Sequence, residues 1–144
     1  MPIRDYTIRI KTMNDICYPE QHGNWYDLKA AKDVILYPNN YIEIPLGVAM
    51  QLPQGYEAIV VPRSSTFKKY GIIMVNSIGV IDSDYCGDND WWCFPALNIT
   101  NNIVEIKAGT RIAQFRIFNR QPKLYMCATE QLDNPDRGGL GSTG

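Results

Sequence analysis

The sequence predicts an all-β protein, a jelly-roll-like barrel or sandwich of short strands with one short helix. Short runs rich in Val, Ile, Tyr and Trp recur along the 144 residues, separated by Pro, Gly and Asn. This pattern is typical of strands bounded by turns. No segment sustains an apolar period of 3.6 residues over a dozen positions, as an amphipathic helix would. Many short strands without a long helix favour a sandwich or a barrel.

Eight segments have the composition of strands. They are residues 5–13, 33–38, 41–53, 56–62, 71–81, 91–100, 110–118 and 123–129. The segment "SSTFKKYG" (64–71) is the one predicted helix, with a serine as its N-cap. The last ten residues, "PDRGGLGSTG", contain four glycines and one large apolar side chain, too little to order themselves by burial. We therefore expect a single domain over residues 1–134 and a flexible, mobile arm over 135–144.

Composition restricts the class of protein. Hydrophobic residues make up 45% of the chain and the net charge is −1, which favours neither nucleic acid nor a membrane surface as a partner. The N-terminal residues have no signal-peptide core, and no apolar run is long enough to span a membrane. The four cysteines are scattered and there is a single histidine, which argues against structural zinc. We expect a soluble cytoplasmic protein.

The segment "GVIDSDYCGD" (79–88) places two carboxylates next to a turn. In a strand that runs into a turn, Asp82 and Asp84 point to the same side. Two such acids can hold a cation, or one can act as a general base toward water. Asp and Gly are also common turn residues, and from this segment alone turn chemistry is the simpler interpretation.

Other polar segments suit a phosphate, although each has a simpler interpretation. "PRSSTF" (62–67) offers a guanidinium, hydroxyls and amides at a strand-to-helix junction, or a plain helix cap beside a solvated arginine. "GTRIAQF" (109–115) carries an arginine and a glutamine that either bind phosphate or face water. The terminal "DRGGLGSTG" (136–144) combines Arg137 with glycines and hydroxyls. These groups either donate to an anion or belong to a disordered tail. Asp27 in "WYDLKAA" (25–31) is, taken alone, an exposed turn acid.

Taken in order, these segments resemble a known family. "YDL", then "PRS", "GVIDxDYxG", "GxRIAQ" and a terminal "RG…GSTG" resemble the five motifs of the trimeric dUTP diphosphatases (dUTPases), across residues 26–144. The pattern is most similar to the small enzymes of Gram-positive bacteria and their phages. The resemblance implies a homotrimer with shared active sites. It also implies that dUTP is hydrolysed to dUMP and pyrophosphate by water attack on the α-phosphorus, with Mg²⁺ as cofactor.

The resemblance also assigns roles to residues. Asp82 would orient the attacking water, and the ring of Tyr85 would pack against the deoxyribose and exclude a 2′-hydroxyl. Asp84 would brace the turn, and Asp27 would lie near the metal through bound waters. The hairpin from Gly79 to about Asp90 would read uracil through main-chain groups. The complete set of implied substrate-binding residues is Arg63, Ser64, Ser65, Asn76, Gly79, Ile81, Tyr85, Asp90, Trp91, Arg111, Gln114, Arg137, Ser142 and Thr143.

The chain departs from the family pattern in two places. Trp25 stands where a small residue usually precedes the first-motif tyrosine. The last motif is two residues shorter than usual, with Leu140 where an aromatic normally covers the uracil. In "DNDWWCF" alternation predicts that Trp92 and Phe94 enter the core. Trp91 is then free either to cover the base or to pack as ordinary interface or core.

Two alternatives to a dUTPase stay open from sequence. A dCTP deaminase has a similar fold and a similar "RSS" segment, but that family needs a glutamate where this chain has Trp92. The second alternative is not an enzymatic function: the protein would be a binding module that a regulatory protein captures as its partner. This role is compatible with catalysis.

Overall fold

The computed structural model describes residues 6–141 as an all-β fold. Twelve strands, one α-helix and a 3₁₀ turn (Asp15–Cys17) lie within these residues, which confirms the predicted class. The strands and the helix, in chain order, are β1 (Arg9–Thr12), β2 (Glu20–His22), β3 (Trp25–Lys29), β4 (Val34–Leu36), β5 (Tyr41–Pro45), β6 (Val48–Gln51), β7 (Tyr56–Pro62), α1 (Thr66–Tyr70), β8 (Ile72–Met74), β9 (Gly79–Ile81), β10 (Cys93–Asn98), β11 (Val104–Ile106) and β12 (Arg111–Asn119).

The strands form four antiparallel sheets. The largest has five strands in the order β2-β3-β12-β7-β9, and a three-stranded sheet has the order β5-β10-β8. Two smaller sheets pair β1 with β6 and β11 with β4. No helix of the described residues has the length and apolar character needed to cross a membrane.

The core consists of the inward-facing residues of these sheets. Along β7 the alternation of side chains buries Ala58 and Val60, as the period of two in a strand requires. Trp92 and Phe94 are 1% and 0% exposed, and Trp92 meets the Phe115 ring edge-on at 5.3 Å between centroids. The prediction that these two aromatics enter the core is therefore confirmed.

Two of the predicted strands are each divided in two. The segment 41–53 becomes β5 and β6 because Gly47 turns the chain with φ +67°, in a position where a side chain would overlap Cys17 and Ala31. The segment 71–81 becomes β8 and β9 because Ser77 has φ +61° and Ser77 N donates to Met74 O at 3.0 Å.

The segment 123–129, which we predicted as a strand, forms none within the described chain. Residues 120–141 lie outside the sheets, and Tyr125 and Met126 are 85% and 93% exposed. The strand prediction is wrong for the single chain because a strand needs a neighbour for its backbone groups, and this segment has none.

Candidate active site

A buried carboxylate between two arginines organises the polar face of the five-stranded sheet. Asp27 on β3 is 2% exposed, so its interpretation as an exposed turn acid is wrong. Its Oδ2 accepts from Arg63 Nε at 3.0 Å and from Arg111 Nη1 at 3.3 Å. One negative charge is thus flanked by two positive charges, and the surplus positive charge suits an anionic ligand.

The backbone after β7 is anchored to β12 by a threonine. Thr66 is 1% exposed, and its hydroxyl donates to Ile112 O at 2.7 Å while accepting from Arg63 N at 3.1 Å. Ser65 occupies the N-cap position of α1, as predicted, but its side chain makes no capping bond. Its hydroxyl instead lies 3.5 Å from Arg63 Nη1, and Ser64 is exposed. Both serine hydroxyls therefore have capacity for a ligand.

Gln114 lies beside this segment. In the sheet it is directly opposite Asp27 on one side and Val61 on the other, and directly opposed residues project to the same face. Its amide Nε2 donates to Pro62 O at 3.1 Å, which leaves a second N–H. A set of predicted site residues therefore comes together, which we call the basic cluster: Asp27, Arg63, Ser64, Ser65, Arg111 and Gln114.

Several of the other predicted residues lie in β9 or in the compact loop that follows it. Asp82 is exposed, and its carbonyl accepts from Tyr85 N at 3.0 Å. The Tyr85 hydroxyl donates to Trp91 O at 3.2 Å. Partial burial and then the nearby charge of Asp90 raise the pKa of the Tyr85 phenol, which stays a donor. We call residues 79–91 the nucleoside loop, after the role that the resemblance implies for them.

Asp90, not Asp84, braces this loop. Its Oδ2 accepts from Gly87 N at 2.7 Å, and its own N–H donates to Gly87 O at 3.1 Å. Asp84 is exposed, and its side chain makes none of the hydrogen bonds or ion pairs found among residues 6–141. The role predicted for Asp84 was wrong because a carboxylate three residues beyond Gly87 reaches its amide, whereas Asp84 faces solvent.

Trp91 lies in the loop directly before β10. It is half-buried, whereas the adjacent Trp92 is buried, and Lys11 Nζ lies 5.3 Å from the Trp91 ring centroid. Lys11 also donates to Asp88 O at 3.1 Å, so β1 supports the loop. Asn76 lies in the turn before β9, where its carbonyl accepts from Ile78 N at 2.6 Å.

The basic cluster and the nucleoside loop are separated within one chain. Gly79 pairs with Val60 and Ile81 with Ala58, so the loop leaves the sheet at the start of β7, whereas the basic cluster follows its end at Pro62. From residue 58 to residue 62 a strand advances about 13 Å, and the chain continues outward in opposite directions at the two points. Arg137 is exposed in the segment beyond β12. Ser142 and Thr143 lie outside the described residues.

One site residue was missed by the sequence analysis. His22 Nε2 lies 2.7 Å from Arg111 Nη1. His22 ends β2, which forms a hairpin with β3 across Gly23 (φ +66°) and Asn24. The Gly-Asn pair, a known two-residue hairpin signal, would have predicted this arrangement.

Comparisons with known proteins identify the family that the sequence motifs resemble. A family model described as dUTPase matches residues 11–144. The SPbeta prophage-derived deoxyuridine 5'-triphosphate nucleotidohydrolase of Bacillus subtilis (strain 168) is 52% identical over 124 residues, 86% of each chain. The deoxyuridine 5'-triphosphate nucleotidohydrolase of Finegoldia magna is 38% identical over 122 residues, 82% of each chain.

Solved structures with the same fold include a dUTPase from Streptococcus mutans and one from Staphylococcus bacteriophage 80alpha with dUPNHPP. The first has a TM-score of 0.74 at 25% identity, covering 81% of this chain and 98% of the other. The second has a TM-score of 0.79 at 23% identity, covering 96% and 98%. This similarity confirms the predicted jelly-roll-like fold.

Proposed function

Because the chain belongs to the dUTPase family, we propose that it hydrolyses dUTP to dUMP and pyrophosphate by attack of water on the α-phosphorus. The observation that carries the proposal is the pair of arginines held by the buried Asp27, beside two serine hydroxyls with capacity for a ligand. Such a preorganised positive site stabilises a triphosphate and the charge that develops on it during phosphoryl transfer.

The basic cluster would bind the phosphates. Ser64, the amide of Ser65 and the second N–H of Gln114 are donors on one surface, and Arg63 and Arg111 supply charge. Arg63 and Arg111 are 23% and 36% exposed as side chains, so each can contact a ligand without leaving Asp27.

The C-terminal arm, residues 135–144, would close over the γ-phosphate. Its Arg137, Ser142 and Thr143 would add donors once a triphosphate is bound, and its glycines allow backbone amides to turn toward an anion. In this proposal the arm is a flexible extension of a single domain formed by residues 1–134.

Mg²⁺ fits this site as an ion carried by the phosphates. Asp27 Oδ2 is committed to two guanidinium groups, and no group of three or more His, Cys, Asp or Glu side chains within residues 6–141 could hold a metal. Mg²⁺ keeps several waters and takes phosphate oxygens as ligands, so Asp27 would contact it only through water. When bound, Mg²⁺ would neutralise phosphate charge.

The nucleoside loop would recognise deoxyuridine. Main-chain groups of Gly79 and Ile81, with the neighbouring Asn76 and Asp90, would pair with uracil. Tyr85 would pack on the sugar and leave no space for a 2′-hydroxyl, since its phenol is held by Trp91 O. Asp82, exposed at the start of the loop, would take the proton of the attacking water.

Trp91 is available to cover the uracil. It is half-buried at the end of the nucleoside loop, whereas Trp92 fills the core, and the family's usual aromatic is replaced by Leu140. Lys11 near the ring would keep it oriented.

The separation of the nucleoside loop from the basic cluster supports a homotrimer whose subunits share each active site. In one chain the nucleoside loop and the basic cluster leave β7 at opposite ends, so a complete site would combine the loop of one subunit with the cluster of another. The exposed segment 123–129, with apolar side chains such as Tyr125 and Met126, would pair with a neighbouring subunit.

The alternative functions have weaker support. The position where a dCTP deaminase needs a glutamate is Trp92, which is buried against Phe115. Capture by a regulatory protein stays a prediction.

The cytoplasmic location belongs to the proposal: Cys17, Cys86, Cys93 and Cys127 are all unpaired thiols, as in a reducing compartment.

One assay distinguishes these functions. The protein is incubated with Mg²⁺ and either dUTP or dCTP, and pyrophosphate and ammonia are measured. We expect pyrophosphate and dUMP from dUTP. Ammonia from dCTP would establish the deaminase instead, and neither product would leave only a binding role.

A further inference from the structure

We propose that His22 is a positioning residue that holds Arg111 in the orientation needed for the triphosphate. The inference rests on the proposed role of Arg111 in phosphate binding. His22 lies outside every motif that identified the family. Its connection to the site is the 2.7 Å contact between its Nε2 and Arg111 Nη1.

The direction of this hydrogen bond is determined by chemistry. A guanidinium has donors and no acceptor, so His22 Nε2 must accept and its ring proton must lie on Nδ1. Arg111 Nη1 carries two hydrogens: one is directed to His22 and the other to Asp27 Oδ2 at 3.3 Å. The contact with His22 is the shorter of the two, and together they fix one end of the guanidinium.

The rest of the guanidinium is left for a ligand. Within residues 6–141, Nε and Nη2 of Arg111 make no hydrogen bond or ion pair. The side chain is 36% exposed, so burial does little to restrict its rotamers. An acceptor at Nη1 is therefore what orients the free edge of the group.

The strand that carries His22 is itself held in place. β2 pairs with β3, and the Lys29 ammonium donates to Glu20 at 2.9 Å across the hairpin. This contact with Lys29 lowers the pKa of the Glu20 carboxyl. On the other side, the pairing of β12 with β3 is irregular between Arg111 and Ala113, a type of bulge that redirects side chains near active sites.

Removal of the imidazole would change where Arg111 points. Among residues 6–141, Asp27 Oδ2, at 3.3 Å from Nη1, would be the remaining partner of the guanidinium. This single contact would not fix the guanidinium, so Arg111 could rotate about it toward solvent. The phosphates would lose an oriented donor.

The test compares steady-state kinetics of the full-length protein with dUTP for several variants. In His22→Ala we expect KM to rise about three- to tenfold, less than a buried charged hydrogen bond would give because the site is partly exposed, while kcat changes less than about twofold. His22→Gln should restore KM, because its amide oxygen can accept from Arg111. Gln21→Ala, on the same strand and without contact to Arg111, is the matched control and should keep the parental KM.

Arg111→Ala and the double variant separate this inference from the proposed function. If His22 acts through Arg111, His22→Ala should add no further rise in KM when Arg111 is already Ala. Additive effects would overturn the inference, as would a His22→Gln variant as impaired as His22→Ala. A normal KM in His22→Ala, with a raised KM in Arg111→Ala, would overturn the inference about His22 and leave the phosphate role of Arg111 intact. A normal KM in Arg111→Ala would overturn the phosphate role of Arg111, and the inference with it.

Discussion

Thr66 connects the phosphate-binding backbone to β12, and its replacement by valine tests how the basic cluster is held. The hydroxyl donates to Ile112 O at 2.7 Å and accepts from Arg63 N at 3.1 Å. Valine has nearly the same shape and removes both bonds without leaving a cavity. Thr66→Ser keeps the hydroxyl and is the matched control.

The expected loss in the free energy of unfolding follows from these two hydrogen bonds. Each lost hydrogen bond costs about 0.5–1.5 kcal/mol of the free energy of unfolding, so two give about 1–3 kcal/mol. Arg63 N and Ile112 O also bond each other at 3.4 Å, so neither group is left wholly unpaired. We therefore expect a loss of about 1–2 kcal/mol for Thr66→Val. Because Arg63, Ser64 and Ser65 directly precede Thr66, KM for dUTP should rise severalfold.

The assay is urea denaturation at one fixed protein concentration, since assembly makes stability concentration-dependent. With a slope of about 2 kcal/mol per molar urea, the midpoint should fall by roughly 0.5–1 M. Equal midpoints and equal KM values for Thr66→Val and Thr66→Ser would show that the Thr66 hydroxyl does not hold the basic cluster in place.

Three further outcomes are expected. Asp82→Asn should bind a non-hydrolysable dUTP analogue normally but lose at least ~10²-fold in kcat, measured by pyrophosphate release; near-normal turnover would remove Asp82 from the mechanism. Tyr85→Ala should raise the ratio of kcat/KM for UTP to that for dUTP, and an unchanged ratio would show that the ring does not select the sugar. Gly47→Ala should cost about 1–3 kcal/mol more in urea denaturation than Gly55→Ala, because both have positive φ but only a methyl at 47 would lie 2.9 Å from Ala31 Cβ, with open space at 55. Equal losses would contradict that explanation.

Local pattern was sufficient for several elements of the fold. β7 was predicted with its observed bounds because its alternation and the flanking turns are all local in sequence. The helix after it was placed correctly, although Ser65 makes no capping bond. β2 was missed because its exposed residues show no apolar pattern. The segment 123–129 looked like a strand, but its composition does not reveal that one chain offers it no neighbour.

The motifs placed the site residues without giving their interactions. Asp27 and Arg111 are 84 positions apart, and their ion pair depends on the register of β3 with β12, which no local signal specifies. The separation of Asp82 from Ser64 depends likewise on the pairing of β9 with β7. The spacing of Asp90 to Gly87 could have predicted that its carboxylate stabilises the turn. Asp84 was chosen instead because it is also an aspartate and lies within the motif.

Complementation between two inactive variants tests whether each active site combines the nucleoside loop of one subunit with the basic cluster of another. One variant is Asp82→Asn, in the nucleoside loop; the other carries Ser64→Ala and Gln114→Ala, in the basic cluster. Equal amounts are unfolded together in urea, refolded and assayed for pyrophosphate release from dUTP. If the halves come from different subunits, about one quarter of the sites in randomly mixed trimers would be fully parental, and activity should return well above that of either variant. Activity no greater than the mean of the two variants refolded separately would show that the loop and the cluster of each site belong to the same subunit.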